Sequence, residues 1–317
     1  METTLTQLRH SIDVVRYREE LESLNALANT FMHSAVKANS EADVVPKQKR
    51  LFQRMKAVAR QEFSGQAPAE SAESKLIQRV GERLPEILKG QVDPVQVLFP
   101  DGEMSVLTDL YQDSPGARLL NTTLTEGLRL GIQTGMSRRL RVLEIGAGTG
   151  GTSLPVVQQL RELGIAFDYH FTDISPLFLK RGQQRLQAFD EIQWSLLNIE
   201  ESPPYKELPS NFDVILASNV IHATKDITRS LGNVRELLAP GGHFFLLEAT
   251  EPLPWLDLVF GVTEGWWRFE DTHLRPDHPL LPASAWCESC QAAGFDEVAL
   301  LGDSVILAQR STAFHEL

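Results

Sequence analysis

The amino-acid sequence predicts an α/β protein in which a doubly wound parallel sheet follows a mostly helical region. Up to about residue 135, leucine-rich helical stretches alternate with polar breaks, and no strand-like alternation is sustained. From Arg138 onward, short β-branched or leucine-rich runs alternate with helical patterns, which is typical of successive βα units. A glycine-rich loop at residues 146–151 joins the first of these runs to a helix.

Seven strands are predicted, with helices between most of them. The strands are 141–145, 169–173, 192–197, 213–217, 243–248, 297–301 and 305–309. The helices of this region are 152–163, 176–188, 227–238 and 283–294. We expect a turn at Pro240-Gly241-Gly242 to precede the fifth strand, and a turn at Gly302-Asp303 to make the last two strands a hairpin.

The pattern divides the chain into a helical region, residues 1–135, and a sheet-containing core, residues 136–317. An aromatic, proline-rich insertion at 251–282 follows the fifth strand. Five parallel strands and a terminal antiparallel hairpin form the Rossmann-like topology of a class I S-adenosylmethionine (SAM) methyltransferase. Two symmetrical mononucleotide-binding halves would give a different strand order.

Composition narrows the class of function. Of 317 residues, 42% are hydrophobic and 23% are charged, close to the globular average. The net charge of −12 disfavours nucleic acid as a partner. No apolar run reaches the roughly 20 residues that span a bilayer, and a signal-peptide pattern is lacking, so no membrane contact and a cytoplasmic location are expected. Two cysteines, Cys287 and Cys290, are too few for a disulfide framework or a four-cysteine zinc site, and no metal is expected.

The glycine loop predicts a cofactor site at the carboxyl edge of the sheet, because glycine lets the backbone approach a ligand closely. Read as Gly146, Gly148 and Gly151, the loop also fits the dinucleotide fingerprint, with Asp173 placed for a ribose hydroxyl. The loop by itself therefore leaves NAD and SAM open. Glu144 favours SAM, since a carboxylate there can face the ammonium group of methionine but would repel a pyrophosphate.

The end of the third predicted strand adds a candidate adenine contact. The amide of Asn198 can accept a hydrogen bond from the adenine amino group, beside an apolar wall that includes Ile199. Structural roles remain open for two residues. Asp173 can instead serve the start of the helix at Pro176, and Asn198 can be a simple turn residue.

A histidine and a glutamate form a candidate catalytic pair. His222 follows the fourth predicted strand and Glu248 ends the fifth. Adjacent strands lie about 4.8 Å apart, so side chains at their carboxyl ends can meet in a hydrogen bond. The carboxylate would orient the imidazole and favour its protonated form, which makes His222 a base for a carbon or hydroxyl acid. The alternative is a satisfied core or cap histidine.

The insertion carries aromatic residues and two histidines. Trp266, Trp267 and Phe269 supply a flat apolar wall suited to an acyl chain and a pantetheine arm, with core packing as the alternative. His273 and His278 have a spacing that could bind a metal, although a loop leaves their geometry unconstrained.

Several segments together resemble one family, the carbon-methyltransferase domain of polyketide synthases. They are VLEIGAGTGG, FTDIS, FDVILASNVIHATKDI, APGGHFFLLEAT, EGWWRFEDTHLRPDHPLL and the W-x(7)-GF pattern from Trp286 to Phe295. Many methyltransferases share the glycine motif, but its combination with the Gly265-Trp266-Trp267 segment is specific. The resemblance covers nearly the whole chain.

The resemblance implies methyl transfer from SAM to the α-carbon of a β-ketoacyl thioester that is carried by an acyl carrier protein. His222 and Glu248 match the family's base and its partner in position. The cofactor-binding candidates are Glu144, Gly146, Gly148, Asp173, Ile174, Asn198, Ile199, Ser218 and Asn219. The family commonly has aspartate where this chain has Asn198. Residues 1–135 would form a helical lid, in which Tyr111 is a candidate contact with cofactor or substrate.

The expected partners are the acyl carrier protein and neighbouring synthase domains, and we expect the chain to be one domain of a larger polypeptide. A basic run at 46–60 is interpreted either as a docking surface for an acidic carrier protein or as a solvated helix face. Three other functions stay open: an oxygen-methyltransferase in which His222 deprotonates a β-hydroxyl or enol, a catalytically silent methyltransferase-like domain, and a dehydrogenase.

Overall fold

Seven strands form one mixed sheet among the residues that the computed structural model describes, which are 14–61, 67–131, 138–206 and 208–312. The strands are β1 (Leu140–Ile145), β2 (Phe167–Asp173), β3 (Ile192–Leu196), β4 (Phe212–Ser218), β5 (Leu238–Leu247), β6 (Glu297–Leu301) and β7 (Val305–Gln309). Their order is β3-β2-β1-β4-β5-β7-β6. β1 to β5 are parallel, while β7 is antiparallel to both β5 and β6. The predicted fold class is confirmed.

Helices cover both faces of this sheet and form most of the amino-terminal region. They are α1 (Val14–Ala38), α2 (Lys49–Val58), α3 (Ala72–Leu88), α4 (Pro94–Leu98), α5 (Ser105–Gln112), α6 (Pro115–Gly131), α7 (Ser153–Glu162), α8 (Pro176–Arg185), α9 (Ile227–Leu237), α10 (Pro254–Phe260) and α11 (Ala283–Ala292). Short 3-10 helices occur at Pro46–Gln48, Pro100–Gly102, Ile221–Ala223 and Glu264–Trp267. None of the described helices is both long and apolar enough to cross a membrane.

The central strand β1 is buried on both faces, as a parallel sheet between helical layers requires. Leu143 and Ile145 belong to the core that includes residues of α9 and α11. Leu140 and Val142 belong to the opposite core, with residues of α6 and α7. Because successive side chains of a strand point to opposite faces, β1 contributes residues to both cores.

The chain folds into two compact units. The sheet unit comprises the described residues of 117–251 and 269–312, and the helical unit comprises those of 14–116 and 252–268. The boundary therefore lies near residue 116 and not at the predicted 135, because α6 packs on the sheet. Leu124 and Leu128 join its core, and a Cβ on Gly127 would lie 3.0 Å from Leu301. Helical periodicity alone does not reveal which surface a helix packs against.

The start of β5 differs from the prediction. Pro240, Gly241 and Gly242 lie inside this strand and not in the predicted turn before it. Leu238 already pairs with Phe212, and the register shifts before the regular pairing resumes. A left-handed φ of +76° at Gly241 accommodates the irregularity.

The basic run contributes to packing inside the helical unit. Arg54 forms an ion pair with Asp257 of α10 at 2.8 Å between Nε and Oδ2, and the Asp257 side chain is fully buried. Arg50 donates to the main-chain oxygen of Trp267 at 2.5 Å, and Gln48 donates to that of Val262 at 2.8 Å. Two arginines of this run thus fasten residues 252–268 to α2, so reversing their charge would disturb packing before it tested docking.

We expect Arg54→Ala to lower the free energy of unfolding by about 3 kcal/mol, because it removes the 2.8 Å ion pair to the fully buried carboxylate of Asp257. The exposed Arg60 on the same run provides the matched control, and Arg60→Ala should change stability by less than about 0.5 kcal/mol. Urea unfolding of both variants measures the difference. Equal stability of the two would show that the Arg54–Asp257 pair does not stabilise the unit.

Candidate active site

The glycine loop turns sharply at the end of β1. Gly146, Gly148 and Gly150 have left-handed φ values of +61°, +55° and +75°, which favour glycine over other residues. A Cβ on Gly146 would lie 2.5 Å from Cγ2 of Val220, so the loop packs directly against the segment that follows β4. At Gly148 the nearest atom to such a Cβ would be the main-chain oxygen of Gly146 at 3.8 Å, which is ordinary van der Waals contact, so the positive φ rather than crowding favours glycine there.

Asp173, the last residue of β2, fixes this loop. Its Oδ2 accepts a hydrogen bond from the Gly148 N–H at 3.0 Å, and its Oδ1 accepts one from the Ser175 N–H at 2.8 Å. Burial raises the pKa of this carboxyl, and the backbone hydrogen bonds oppose the shift. Asp173 therefore supports both the loop and the start of α8, and its predicted contact with a ribose hydroxyl remains a prediction.

Glu144 lies beneath the loop, in a buried polar cluster. Its Oε2 accepts hydrogen bonds from the hydroxyls of Ser153, at the start of α7, and Tyr169, at 2.6 Å for the tyrosine. Burial raises the pKa of Glu144 to about 7, although both hydroxyls stabilise the ionised form. The contacts tie β1 to β2 and α7, and the predicted contact of Glu144 with the methionine ammonium group remains a prediction.

The residues after β4 turn the chain toward β5. Asn219 adopts a left-handed φ of +53°, donates its backbone N–H to the Leu247 oxygen at 2.7 Å, and accepts from the Ala249 N–H through Oδ1 at 3.1 Å. Asparagine tolerates this conformation better than most side chains. The turn that carries His222 is thus fastened to the strand that leads into Glu248.

His222 and Glu248 meet as the sequence predicts. Nδ1 of His222 lies 2.6 Å from Oε2 of Glu248, whose side chain is fully buried. Oε1 of Glu248 accepts from the backbone N–H groups of Val220, Ile221 and His222 at 3.2, 2.8 and 3.3 Å. One carboxylate therefore binds both the imidazole and the turn from which the imidazole projects, and Nε2 is the ring nitrogen that faces away from Glu248.

Two residues beside this pair, Asp271 and Arg275, were not predicted from the sequence. Both side chains are fully buried, and Nε of Arg275 lies 2.6 Å from Oδ1 of Asp271. The guanidinium also donates to the main-chain oxygen of His222 at 2.6 Å. The available signal was an aspartate and an arginine four residues apart within the insertion.

The remaining predicted cofactor residues of the sheet unit have different environments. Ile174 is 61% exposed immediately after Asp173, so it presents an apolar surface at the carboxyl edge. Ser218 ends β4. Asn198 holds its own turn, accepting from the Glu200 N–H and donating to Glu201, and Ile199 is buried in the core. Direct contacts of these residues with adenine remain predictions.

The predicted substrate-side aromatics do not share one unit. Trp266 and Trp267 lie buried in the helical unit, where Trp267 donates its indole N–H to the Gly261 oxygen at 2.7 Å. Tyr111, in α5, belongs to the same unit. Phe269 belongs to the sheet unit and lies against Arg275, whose guanidinium carbon is 5.1 Å from the ring centroid. Packing accounts for these positions, and substrate contact remains a prediction.

Comparison with known proteins identifies the family. The family described as "Methyltransferase domain" matches residues 143–244. The CurJ carbon methyltransferase is 32% identical, with 98% of this chain and 97% of that chain covered and a TM-score of 0.86. The CMeT domain of the citrinin polyketide synthase is 26% identical, with 93% and 90% covered and a TM-score of 0.79. This chain belongs to the family of polyketide synthase carbon-methyltransferase domains.

This methyltransferase domain also matches much longer proteins. It is 40% identical over 236 residues to the non-reducing polyketide synthase mapC of Penicillium roqueforti. The match covers 73% of this chain and 9% of that synthase, so the chain spans about a tenth of the length of the curated relatives that it matches.

SAM is the cofactor of this methyltransferase domain. The residues at the carboxyl edge fit such a group, because Gly146, Gly148 and Gly150 carry no side chain and let the loop backbone approach a ligand closely. Exposed Ile174 offers an apolar surface, and the buried carboxylate of Asp173 offers hydrogen-bond acceptors beside it. In the described part of the chain, no group of three histidine, cysteine or acidic side chains could hold a metal ion.

Two glycine substitutions separate the cost of positive φ from the cost of steric overlap with Val220. Gly146→Ala and Gly148→Ala both place a side chain at positive φ, which costs about 1–2 kcal/mol. Only Gly146→Ala also forces a Cβ against Val220, and overlap of this kind costs about 1–3 kcal/mol more. We expect Gly146→Ala to be the less stable variant by urea unfolding. Equal losses of stability in the two variants would mean that the Val220 side chain moves aside at no energetic cost.

Glu144 should make stability depend on pH. Its carboxyl has a folded-state pKa of about 7 and an ordinary value of 4.5, so the unfolded chain releases this proton first as pH rises. Glu144 therefore contributes to the free energy of unfolding below pH 4.5, and this contribution is lost by about pH 7. Its magnitude is on the order of 3 kcal/mol.

Urea unfolding across this pH range measures the effect. We expect the stability of the wild-type domain relative to Glu144→Gln to fall as pH rises from 4.5 to 7. Glu70→Gln, at a side chain that is 80% exposed, should show no such slope. A flat difference between the wild type and Glu144→Gln would mean that Glu144 ionises in the folded protein as it does in water.

Proposed function

We propose that this domain methylates the α-carbon of a β-ketoacyl thioester carried on an acyl carrier protein, with His222 as the base and Glu248 as its partner. The observation that carries the proposal is the 2.6 Å contact between Nδ1 of His222 and Oε2 of the fully buried Glu248. The contact lies at the carboxyl ends of the neighbouring strands β4 and β5, where parallel α/β sheets bind their ligands.

The chemistry of the substrate assigns the task of the histidine. When bound, SAM supplies a methyl group that its sulfonium already makes electrophilic. The domain therefore has to generate a carbon nucleophile and hold it in line. The α-hydrogen of a β-ketoacyl thioester is acidic because two carbonyl groups share the charge of the enolate, so a neutral imidazole is a suitable base.

In this mechanism Nε2 of His222 accepts the α-proton as the carbon–hydrogen bond breaks. The electron pair that is left on carbon forms the new bond to the methyl group while the bond between the methyl group and sulfur breaks, and the electron pair of that bond leaves on the sulfur. The proton stays on the imidazolium until solvent removes it. Glu248 fixes the imidazole tautomer because its carboxylate accepts a hydrogen bond from the Nδ1–H of His222, which leaves Nε2 as the proton acceptor. The negative charge of Glu248 stabilises the imidazolium. Burial of Glu248 strengthens this attraction relative to water.

The likeness to carbon methyltransferases and to polyketide synthases supports the substrate class and the partners. CurJ is a carbon methyltransferase. The non-reducing polyketide synthase mapC is much longer than this chain, which matches 9% of its length. We therefore propose that the acyl carrier protein delivers the substrate and that further synthase domains adjoin this one. The role of the helical region as a lid remains part of the same proposal.

Three variants test the base. With acetoacetyl carrier protein and SAM, His222→Ala should lose at least about 100-fold in turnover, and Glu248→Gln should lose about as much, because general-base catalysis contributes about 100- to 10,000-fold. SAM affinity by calorimetry should stay within about twofold of wild type for His222→Ala. His273→Ala, at an exposed histidine of the insertion, is the matched control and should turn over like wild type.

Intact-mass and fragmentation analysis of the carrier protein reads out the product. One added methyl on the α-carbon supports the proposed reaction. A methyl on oxygen would instead favour the oxygen-methyltransferase, and SAM binding without any product would favour a silent domain. Full turnover by His222→Ala would remove the histidine from the mechanism.

A further inference from the structure

We propose that the buried Asp271–Arg275 pair is a positioning device for His222, acting on the main chain of the turn that carries the imidazole. The inference rests on the proposed role of His222 as the base. It assigns a function to a charged segment of the insertion that neither the dyad nor the cofactor loop uses.

The guanidinium of Arg275 grips the carbonyl side of the turn. Nη1 donates to the main-chain oxygen of His222 at 2.6 Å, and Nη2 donates to the oxygens of Thr224 at 2.8 Å and Lys225 at 3.2 Å. Nε is held by Asp271 at 2.6 Å. The arginine therefore contacts the catalytic residue through its backbone, one peptide unit from the imidazole.

Opposite charges hold the two sides of the same turn. Glu248 accepts from the N–H groups of Val220, Ile221 and His222, while Arg275 donates to the oxygens that follow. Peptide dipoles favour an anion at their N–H end and a cation at their carbonyl end. The 3-10 turn Ile221–Ala223 thus lies between a carboxylate and a guanidinium that match its polarity. This arrangement fixes the backbone from which the His222 side chain reaches Glu248.

Asp271 extends the same device to the next helix. Its Oδ1 holds the guanidinium, and its Oδ2 accepts from the backbone N–H of Ile227, the first residue of α9, at 2.9 Å. The guanidinium carbon of Arg275 lies over the Phe269 ring, 5.1 Å from its centroid. Because both ions are fully buried, the pair has little freedom to adopt another geometry.

The chemistry requires arginine specifically. Four of its contacts use three different nitrogens of one rigid planar group. A lysine ammonium keeps the charge but cannot span these acceptors from a single point. Arg275→Lys is therefore the informative substitution, since it preserves the buried positive charge opposite Asp271 and removes the fork.

The chain also offers a matched control on another turn. Arg310 uses Nη1 to hold the main-chain oxygens of Arg235 at 3.2 Å and Leu238 at the junction of α9 and β5. Arg310→Lys makes the same chemical change against the same kind of acceptors, at the opposite end of β5 from Glu248. A general cost of replacing a carbonyl-binding arginine will appear in both variants.

The experiment compares kcat and KM for SAM in the same carrier-protein assay, and thermal unfolding of each variant is measured separately to show that it is folded. We expect Arg275→Lys to lose about 100-fold in kcat, the loss that misplacement of a catalytic group by about 1 Å produces. Its KM for SAM should stay within about twofold of wild type. Arg310→Lys should keep kcat within about threefold of wild type. The NMR signal of the proton shared by His222 and Glu248 should shift in Arg275→Lys and keep its position in Arg310→Lys.

If Arg275→Lys does not fold, Asp271→Asn carries the test. The asparagine keeps an acceptor for Ile227 or for Arg275 but removes the charge, and we expect about a tenfold loss in kcat with an altered signal of the shared proton. Wild-type kcat in either folded variant would overturn the inference. So would a loss of kcat with an unchanged shared-proton signal. Wild-type turnover of His222→Ala would instead overturn the proposed function, so the two failures are distinguishable.

Discussion

The rest of this site depends on the hydrogen bonds that the carboxylate of Glu248 accepts. This carboxylate is fully buried, and four groups bind its two oxygens: the imidazole of His222 and three consecutive backbone N–H groups. A buried charge is tolerated only when it is compensated in this way. The same hydrogen bonds that stabilise the charge therefore dictate the shape of the turn and the direction of the imidazole.

The glycine loop and the turn that carries His222 pack against one another. Gly146 lies so close to Val220 that no side chain fits between them, and Val220 donates its N–H to Glu248. Any displacement of the loop is therefore transmitted to the turn that carries His222. Glycine is therefore required at 146 for two reasons, the positive φ and the close approach of Val220.

The residues that follow β5 serve two parts of the molecule. Residues 252–268 pack in the helical unit, where Arg54 and Arg50 hold them, while Asp271 and Arg275 are buried in the sheet unit beside His222. A single insertion in the sequence is thus divided into a segment that packs in the helical unit and a segment that contacts the turn carrying His222. The sequence predicted one continuous insertion at 251–282, because a division between two packing partners depends on contacts with distant residues.

The sequence by itself determined the α/β class, the terminal hairpin, the glycine loop and the His222–Glu248 pair. These features depend on local periodicity and on the rule that neighbouring parallel strands end at one edge, so they can be predicted from residue order. Only the tertiary structure decided that α6 packs on the sheet, that Glu144 binds Ser153 and Tyr169, and that Arg275 grips the backbone of His222. Those facts depend on which distant surfaces meet and on which buried charges find partners. A partner 53 residues away along the chain leaves no periodic signal in the sequence.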